Sequence, residues 1–251
     1  MQHVLDHGYV KLVEGWGSDA RIIEAARMST DKGFLGWGGQ HDTTCPTYAG
    51  LPINPEKQCG CVGRPGDEKL LAYLWNNKHA TPFEMAGLVI EVQAPIFVFR
   101  EWHRHRTQSY NEMSARYTPL PDVNYVPTVE RLMLNSKTNK QAGTVKGAAE
   151  LTELAAKAYR NRLTSMYDDQ ERLYQEALAA GVPKELARIH LPVGRYSKMR
   201  ASANLRNWLA FLTLRMDPAA QWEIQQFAAE VGEIIAQTFP RTWTLFAANQ
   251  K

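Results

Sequence analysis

The chain has 251 residues, 44% hydrophobic and 22% charged, and its 29 Lys and Arg against 26 Asp and Glu leave a formal charge of +3. That apolar share can bury enough surface to offset chain entropy, which argues against an intrinsically disordered protein, and the length suits one large domain. The surplus charge is local: residues 98–117 carry four Arg against two Glu, and residues 184–216 carry seven basic side chains against Glu185 alone. Two basic segments in an otherwise slightly acidic chain point to a local anion site rather than a polyanion-binding tail.

The start, MQHVLDHGYV, has no basic segment followed by an apolar run of signal-peptide type. No stretch reaches the roughly 18 uninterrupted apolar residues of a membrane helix, so a cytoplasmic protein with no membrane partner is expected. Ser18 is placed to cap a helix through Met28. Residues 33–66 hold eight of the 17 glycines, four of the 13 prolines and all three cysteines, and read as an inserted loop. An odd cysteine count does not describe a disulfide framework. With His41, Cys45, Cys59 and Cys61 could form a Cys/His metal site, but Cys-x-Cys is not the usual knuckle spacing, and no metal is expected.

Beyond the loop, Asp67 is placed to cap a helix over 68–77, with Leu70, Leu71 and Leu74 on one face. Residues 88–92 predict a strand, and Pro95 fits the first turn of a helix through Ile96, Val98 and Trp102. Residues 134–147 read as a second exposed loop. Residues 148–180 predict a long helix stopped by Gly181 and Pro183, with Leu151, Leu154, Ala158, Met166, Leu173 and Ala177 as its buried stripe. Arg195, Lys198 and Arg200 lie along a strand as either a solvated edge or a ligand-attracting rim. A helix over 203–216 follows, and Pro218 opens a last one, with Ile224, Phe227, Val231 and Ile235 at helical steps, which Pro240 ends. The resulting class is α+β, mainly helical with a small antiparallel or mixed sheet, in one domain over 1–251. No G-x-G-x-x-G or P-loop is present, which disfavours a Rossmann or Walker site.

The densest polar cluster spans residues 101–117. On a helix, Glu101, Arg104 and His105 share a face, while Arg106 points about 100° away from His105. If the chain then extends, Glu112, Ser114 and Arg116 fall on one side. Arg and Ser of such a set can hold a phosphate while Glu fixes an N–H or a sugar hydroxyl. The same spacing also suits an interface network in which Glu101 and Glu112 neutralise Arg104 and Arg116. A third reading is an oligonucleotide binder stacking bases on Trp102, Tyr110 and Tyr117, but no binding-module fingerprint accompanies them. His190, in an apolar run, is expected in the core, His3, His7 and His103 at the surface, and Trp222 in the core or a subunit contact.

Arg104-His105-Arg106, then seven residues and Ser114, within RHRTQSYNEMSARY, resembles the signature of the flavin-dependent thymidylate synthases. HATPFE (79–84), ELARIHLP (185–192) and NLRNWLAFLTLR (204–215) stand in the order that family has them, and the resemblance covers most of 25–228 outside the two loops. It implies a homotetramer with active sites shared between subunits, FAD as cofactor, NADPH as reductant, methylenetetrahydrofolate as carbon donor and dUMP as acceptor, with no nucleic-acid partner. His79, Thr81, Arg104, His105, Arg106, Glu112, Asn204, Arg206 and Ala210 match flavin-site positions. Glu101, Arg104, Glu112, Met113, Ser114, Ala115, Arg116, Arg188 and Arg215 match nucleotide-site positions. Arg215 matches the residue that stabilises the ionised uracil ring, and His79 a histidine near flavin and folate.

Two positions depart from the pattern: Glu101 stands where the family has Gln, and Ala210 where some members carry a polar residue. Glu101 is expected to pair with Arg104 or to alter nucleotide contacts, and an inactive or altered relative is the alternative reading. The chemistry agrees with the residues present. Methylating C5 of uracil requires a carbon nucleophile, and one route adds a cysteine thiolate to C6, but the only cysteines lie in the Gly/Pro-rich loop. A route in which Arg215 withdraws electron density and a reduced flavin delivers hydride needs no protein nucleophile. Ser114, with no evident base but Glu112, reads as a phosphate ligand. Much of the local positive charge is then expected to be reserved for ligand phosphates.

Overall fold

The computed structural model describes residues 2–37, 66–136, 139, 142–144 and 148–249; the three cysteines and His41 lie outside them. Its strands are β1 (Gln2–Val4), β2 (Gly8–Trp16), β3 (Gly87–Pro95), β4 (Ser109–Glu112) and β5 (Tyr196–Asn204). They form one open antiparallel sheet in the order β1-β2-β3-β5-β4. The α-helices are α1 (Asp19–Arg27), α2 (Glu68–Asn76), α3 (Ile96–Trp102), α4 (Val129–Met133), α5 (Glu153–Ala179), α6 (Lys184–Ala187), α7 (Leu205–Arg215), α8 (Trp222–Thr238) and α9 (Pro240–Ala248). The class is therefore α+β with helices dominant, as expected.

The chain divides into two compact units. One comprises Met1–Val13, Val89–Ser202 and Phe211–Val231; the other comprises Glu14–Leu88, Ala203–Ala210 and Gly232–Lys251. In the first unit, alternation along the strands buries Val10, Ile90, Val92, Met199 and Ala201 with Val98, Trp102, Phe211 and Phe227. The opposite strand positions, Glu91, Lys198 and Arg200, stay polar and more exposed. In the second unit, Ile22, Leu71, Leu74, Phe83, Trp208, Ile235 and Phe246 are buried. Gly87 is required there by close approach: a Cβ would lie 2.2 Å from the Trp16 ring and 2.4 Å from the Ala203 carbonyl oxygen. The backbone then passes near enough for Leu205 N–H to donate to the Ala86 carbonyl at 2.7 Å, seating the start of α7.

Several elements differ from expectation for identifiable reasons. Ser18 caps α1 through the Arg21 N–H, but the Asp67 side chain makes no cap bond to α2. Its carboxylate is taken by Arg27 and by the Leu35 N–H. Pro95 is the N-cap of α3, one residue before its first turn. On α5 the buried face is a different stripe. Ala156 and Tyr174 are buried and Leu163, Tyr167, Gln170 and Ala177 partly so, whereas Leu154 is 79% exposed and Met166 and Leu173 lie outside too. Tyrosine rings take core positions here as leucines do elsewhere, which a stripe of Leu, Met and Ala alone misses. The strand before α7 runs on to Asn204, α8 begins four residues after Pro218, and Pro240 opens α9 at its N1/N2 position.

Arg195 is neither a solvated edge nor a ligand rim. It is 1% exposed, with Nη1 2.7 Å from Glu171 and 3.0 Å from Asp122. His103 is half-buried, stacked on Phe99 and 3.2 Å from the Met199 sulfur. His190 is also half-buried, its Nε2 3.0 Å from the Gln170 carbonyl oxygen. Trp222 is half-buried under the Arg131 guanidinium at 5.6 Å.

Candidate active site

In the first unit, α3 ends at Trp102 and the chain turns sharply, so the helical face joining Glu101, Arg104 and His105 does not form. The turn is held from inside: Trp102 Nε1–H donates to Gln108 Oε1 at 3.1 Å, and the Tyr110 hydroxyl reaches the carbonyl oxygens of Trp102 and His105 at 3.0 and 2.7 Å. Burial pushes the Tyr110 phenol up to about 12, keeping it a donor to these helix-terminal carbonyls. Trp102 is fully buried and stacked on Phe211, so neither Trp102 nor Tyr110 is presented for stacking on bases. Arg104 and Arg106 project from the turn as exposed guanidiniums with no acidic partner among the described residues.

His105 points the other way, toward Arg215. Arg215 Nε–H donates to His105 Nε2 at 2.8 Å, Nη1 reaches Glu101 Oε2 at 2.7 Å, and Nη2 reaches the Glu101 carbonyl oxygen at 3.0 Å. Glu101 thus pairs with Arg215, not with Arg104. Burial first, and the Arg215 charge second, hold the His105 imidazole down at about 4. At neutral pH the ring is uncharged, and because Nε2 accepts from Arg215 its proton sits on Nδ1.

A separate cavity of about 400 Å3 in the same unit is lined by Glu112, Met113, Ala115 and Arg188, with Glu185, Ser197 and the apolar Ile96, Leu120 and Leu191. Strand β4 ends at Glu112, and Ser114–Tyr117 is a turn closed by Tyr117 N–H to the Ser114 carbonyl at 3.0 Å. The period-two alignment of Glu112, Ser114 and Arg116 therefore fails. The Arg116 N–H folds back onto Ser114 Oγ at 3.3 Å, while the Arg116 side chain is exposed. Among the described residues lining this cavity, neither Arg215 nor Arg104 contributes.

In the second unit, Asn204 Oδ1 accepts the Asn207 N–H at 2.9 Å and caps α7, from which Arg206 and Ala210 emerge one turn apart on its exposed side. Arg206 Nη1 meets Glu84 Oε1 at 2.6 Å, joining α7 to the 3-10 turn Thr81–Met85. Thr81 opens that turn. His79 lies just before it, exposed, its ring 5.5 Å from that of Tyr73. Glu84 was not singled out as a site residue, although it sits in the HATPFE motif; nothing in its spacing announces Arg206 as its partner.

The positive charge is less free than the sequence suggests. In the segment 184–216, Arg195, Arg200, Arg206 and Arg215 each have a carboxylate partner drawn from elsewhere in the chain. Arg188, like Arg104 and Arg106, has none among the described residues. Among the described residues, the turn arginines and the cavity arginine are therefore cations without a carboxylate partner, as is the exposed Arg116.

Comparison with known proteins identifies the family. Residues 11–241 match the family model described as thymidylate synthase complementing protein. The flavin-dependent thymidylate synthase of Thermosipho melanesiensis is 35% identical over 243 residues, 97% of this chain and 92% of that protein. That of Rickettsia prowazekii is 34% identical over 252 residues, 97% of this chain and 76% of that protein. Among solved structures, the UMP/dUMP methylase PolB from Streptomyces cacaoi, bound with 5-Br UMP, superposes with a TM-score of 0.74 at 28% identity, covering 100% of this chain and 98% of that one. The chain belongs to the flavin-dependent thymidylate synthases.

Proposed function

We propose that this chain catalyses reductive methylation of dUMP to dTMP in the cytoplasm, taking the one-carbon unit from methylenetetrahydrofolate and reducing equivalents from NADPH by way of FAD. The observation that carries the reading is the cavity joining Glu112, Met113 and Ala115 to Arg188, which brings a carboxylate and a guanidinium together from two distant family motifs. Arg188 would take the nucleotide phosphate and Glu112 a sugar hydroxyl or ring N–H, while Ser114 and Arg116, on the adjoining turn, close over the phosphate.

The donor set fits a flavin dinucleotide. In the first unit, Arg104 and Arg106 offer exposed guanidiniums to a pyrophosphate and His105 a single Nδ1–H. In the second unit, His79, Thr81, Asn204, Arg206 and Ala210 are proposed as cofactor residues on the family motifs that carry them. FAD, when bound, supplies the hydride chemistry that no side chain can provide. Arg215 places its cation where negative charge develops on the uracil ring, and burial strengthens that stabilisation. Because the Arg215 group does not line the nucleotide cavity of its own chain, the two halves of the site are read as meeting between subunits of a homotetramer. The exposed apolar side chains Leu154, Tyr159, Met166 and Leu173 of α5 supply surface for such an assembly.

The test is reconstitution. The purified protein should take up FAD stoichiometrically and oxidise NADPH faster when dUMP is added, with UMP run alongside. A protein that binds neither FAD nor either nucleotide would refute the proposal.

A further inference from the structure

The Arg215 guanidinium is engaged on all three of its nitrogens, and two of the three contacts go to one residue. Nη1 holds the Glu101 carboxylate, Nη2 the Glu101 carbonyl oxygen, and Nε the His105 ring. Planar, fork-shaped donors gripped at both the main chain and the side chain of one residue are fixed in position and in plane. The side chain of Arg215 is 15% exposed and that of Glu101 42%. The carboxylate is therefore the wetter partner, and the guanidinium the one the protein encloses.

We propose that Glu101 is a positioning residue for Arg215: it fixes the guanidinium at the end of α3 and cancels part of its charge until an anionic nucleotide takes the carboxylate's place. The inference rests on the reading of Arg215 as the group that faces the pyrimidine, and it deepens that reading by naming the residue that governs it.

Three features support the exchange. Nη1 and Nη2 each carry a second N–H not used by Glu101, so a ligand can be engaged before the carboxylate leaves. The main-chain contact and the His105 contact do not involve the carboxylate, so Arg215 keeps two of its three contacts while that group swings away and the bound nucleotide supplies the third. Glu101 also lines a cavity of about 630 Å3 with Arg131, Asn135, Asn139, Gln221 and Trp222, which gives the displaced carboxylate a polar place to go without unfolding. A carboxylate at this point repels the nucleotide and lowers the positive potential available to it. Glutamine would keep an acceptor oxygen for Nη1 without the charge, whereas alanine would leave only the main-chain and His105 contacts.

The experiment compares the wild-type holoenzyme with Glu101→Gln and Glu101→Ala, reading tritium release from [5-3H]dUMP, dUMP affinity by calorimetry, flavin content and thermal midpoint. Glu101→Gln is expected to bind dUMP about tenfold more tightly. Glu101→Ala, which leaves the guanidinium less firmly fixed before the nucleotide arrives, is expected to lose at least tenfold in kcat/KM for dUMP with flavin content unchanged. The split between the two variants is what a merely structural contact would not produce. If both variants fall alike, or Glu101→Gln weakens dUMP binding, the proposal is overturned while the functional reading stands. Should Glu101→Ala fail to fold, the Glu101→Gln affinity decides by itself. A wild-type protein that binds flavin and dUMP but releases no tritium overturns the functional reading and the proposal together.

Discussion

Replacing Arg195 by methionine tests how a buried ion pair holds the first unit together. Arg195 is 1% exposed and its Nη1 lies 2.7 Å from a Glu171 carboxylate that is itself only 14% exposed, whereas Asp122, at 3.0 Å, is 64% exposed. The exposed partner should contribute little, on the order of 0–1 kcal/mol. The enclosed one decides the outcome, since removing its counter-ion strands a buried charge at a cost of about 3–5 kcal/mol. For a chain of this size that corresponds to a fall in Tm of roughly 6–20 °C. The network is also incompletely satisfied: Arg195 Nε and Glu171 Oε2 are buried without an aligned hydrogen bond, despite the short ion-pair distance. Replacing both members, Arg195→Met with Glu171→Met, should therefore recover most of the loss and leave the protein within about 1 kcal/mol of wild type. Urea unfolding followed by circular dichroism at fixed protein concentration measures each term of the cycle. A single variant that loses less than about 1 kcal/mol, or a double variant as unstable as the single losses summed, would refute the reasoning.

Arg215→Ala should retain flavin yet lose methylation, read as absent dTMP with an unchanged flavin spectrum; normal turnover would remove Arg215 from the chemistry. Arg106→Ala should lose FAD on gel filtration with little change in Tm, because its guanidinium is exposed. His105, held at about 4 against its usual 6.5, stays neutral in the fold while the unfolded chain takes up a proton. Its contribution to stability is therefore complete above pH 6.5 and lost as pH falls toward 4, by about 1–2 kcal/mol after allowance for partial exposure. His105→Asn should flatten that part of the stability–pH curve, and an unchanged slope would contradict the assignment. Asp19 accepts from Arg241 N–H, Thr242 N–H and the Thr242 hydroxyl at 2.9, 3.1 and 2.6 Å, tying the start of α9 to α1. Asp19→Ala should cost about 2–3 kcal/mol in thermal unfolding, and Asp19→Asn a comparable part of it, because the amide loses the charge and turns an N–H toward one of the donors.

Much of the fold was legible where the local signal and the tertiary outcome coincide. Ser18 caps its helix because the cap bond is made within three residues, and β3 alternates because it has one packed face. The α5 stripe was misread because it was drawn from Leu, Met and Ala alone, whereas a tyrosine ring buries as well as leucine when Tyr167 Oη finds the Tyr125 carbonyl. Pro240 looked like a stop and is a start, an ambiguity inherent in proline at a helix boundary. The motif residues were found by resemblance, but their partners were not. Arg215 with Glu101, Arg206 with Glu84 and Arg195 with Glu171 join segments far apart in sequence, and helical or strand periodicity carries no information about such pairs.

The most direct test of the account is dTMP formation by the FAD-loaded wild-type protein supplied with dUMP, methylenetetrahydrofolate and NADPH. The account expects dTMP in proportion to enzyme, dependent on every component and abolished by Arg215→Ala. Flavin-loaded protein that oxidises NADPH in the presence of dUMP but yields no dTMP would contradict it.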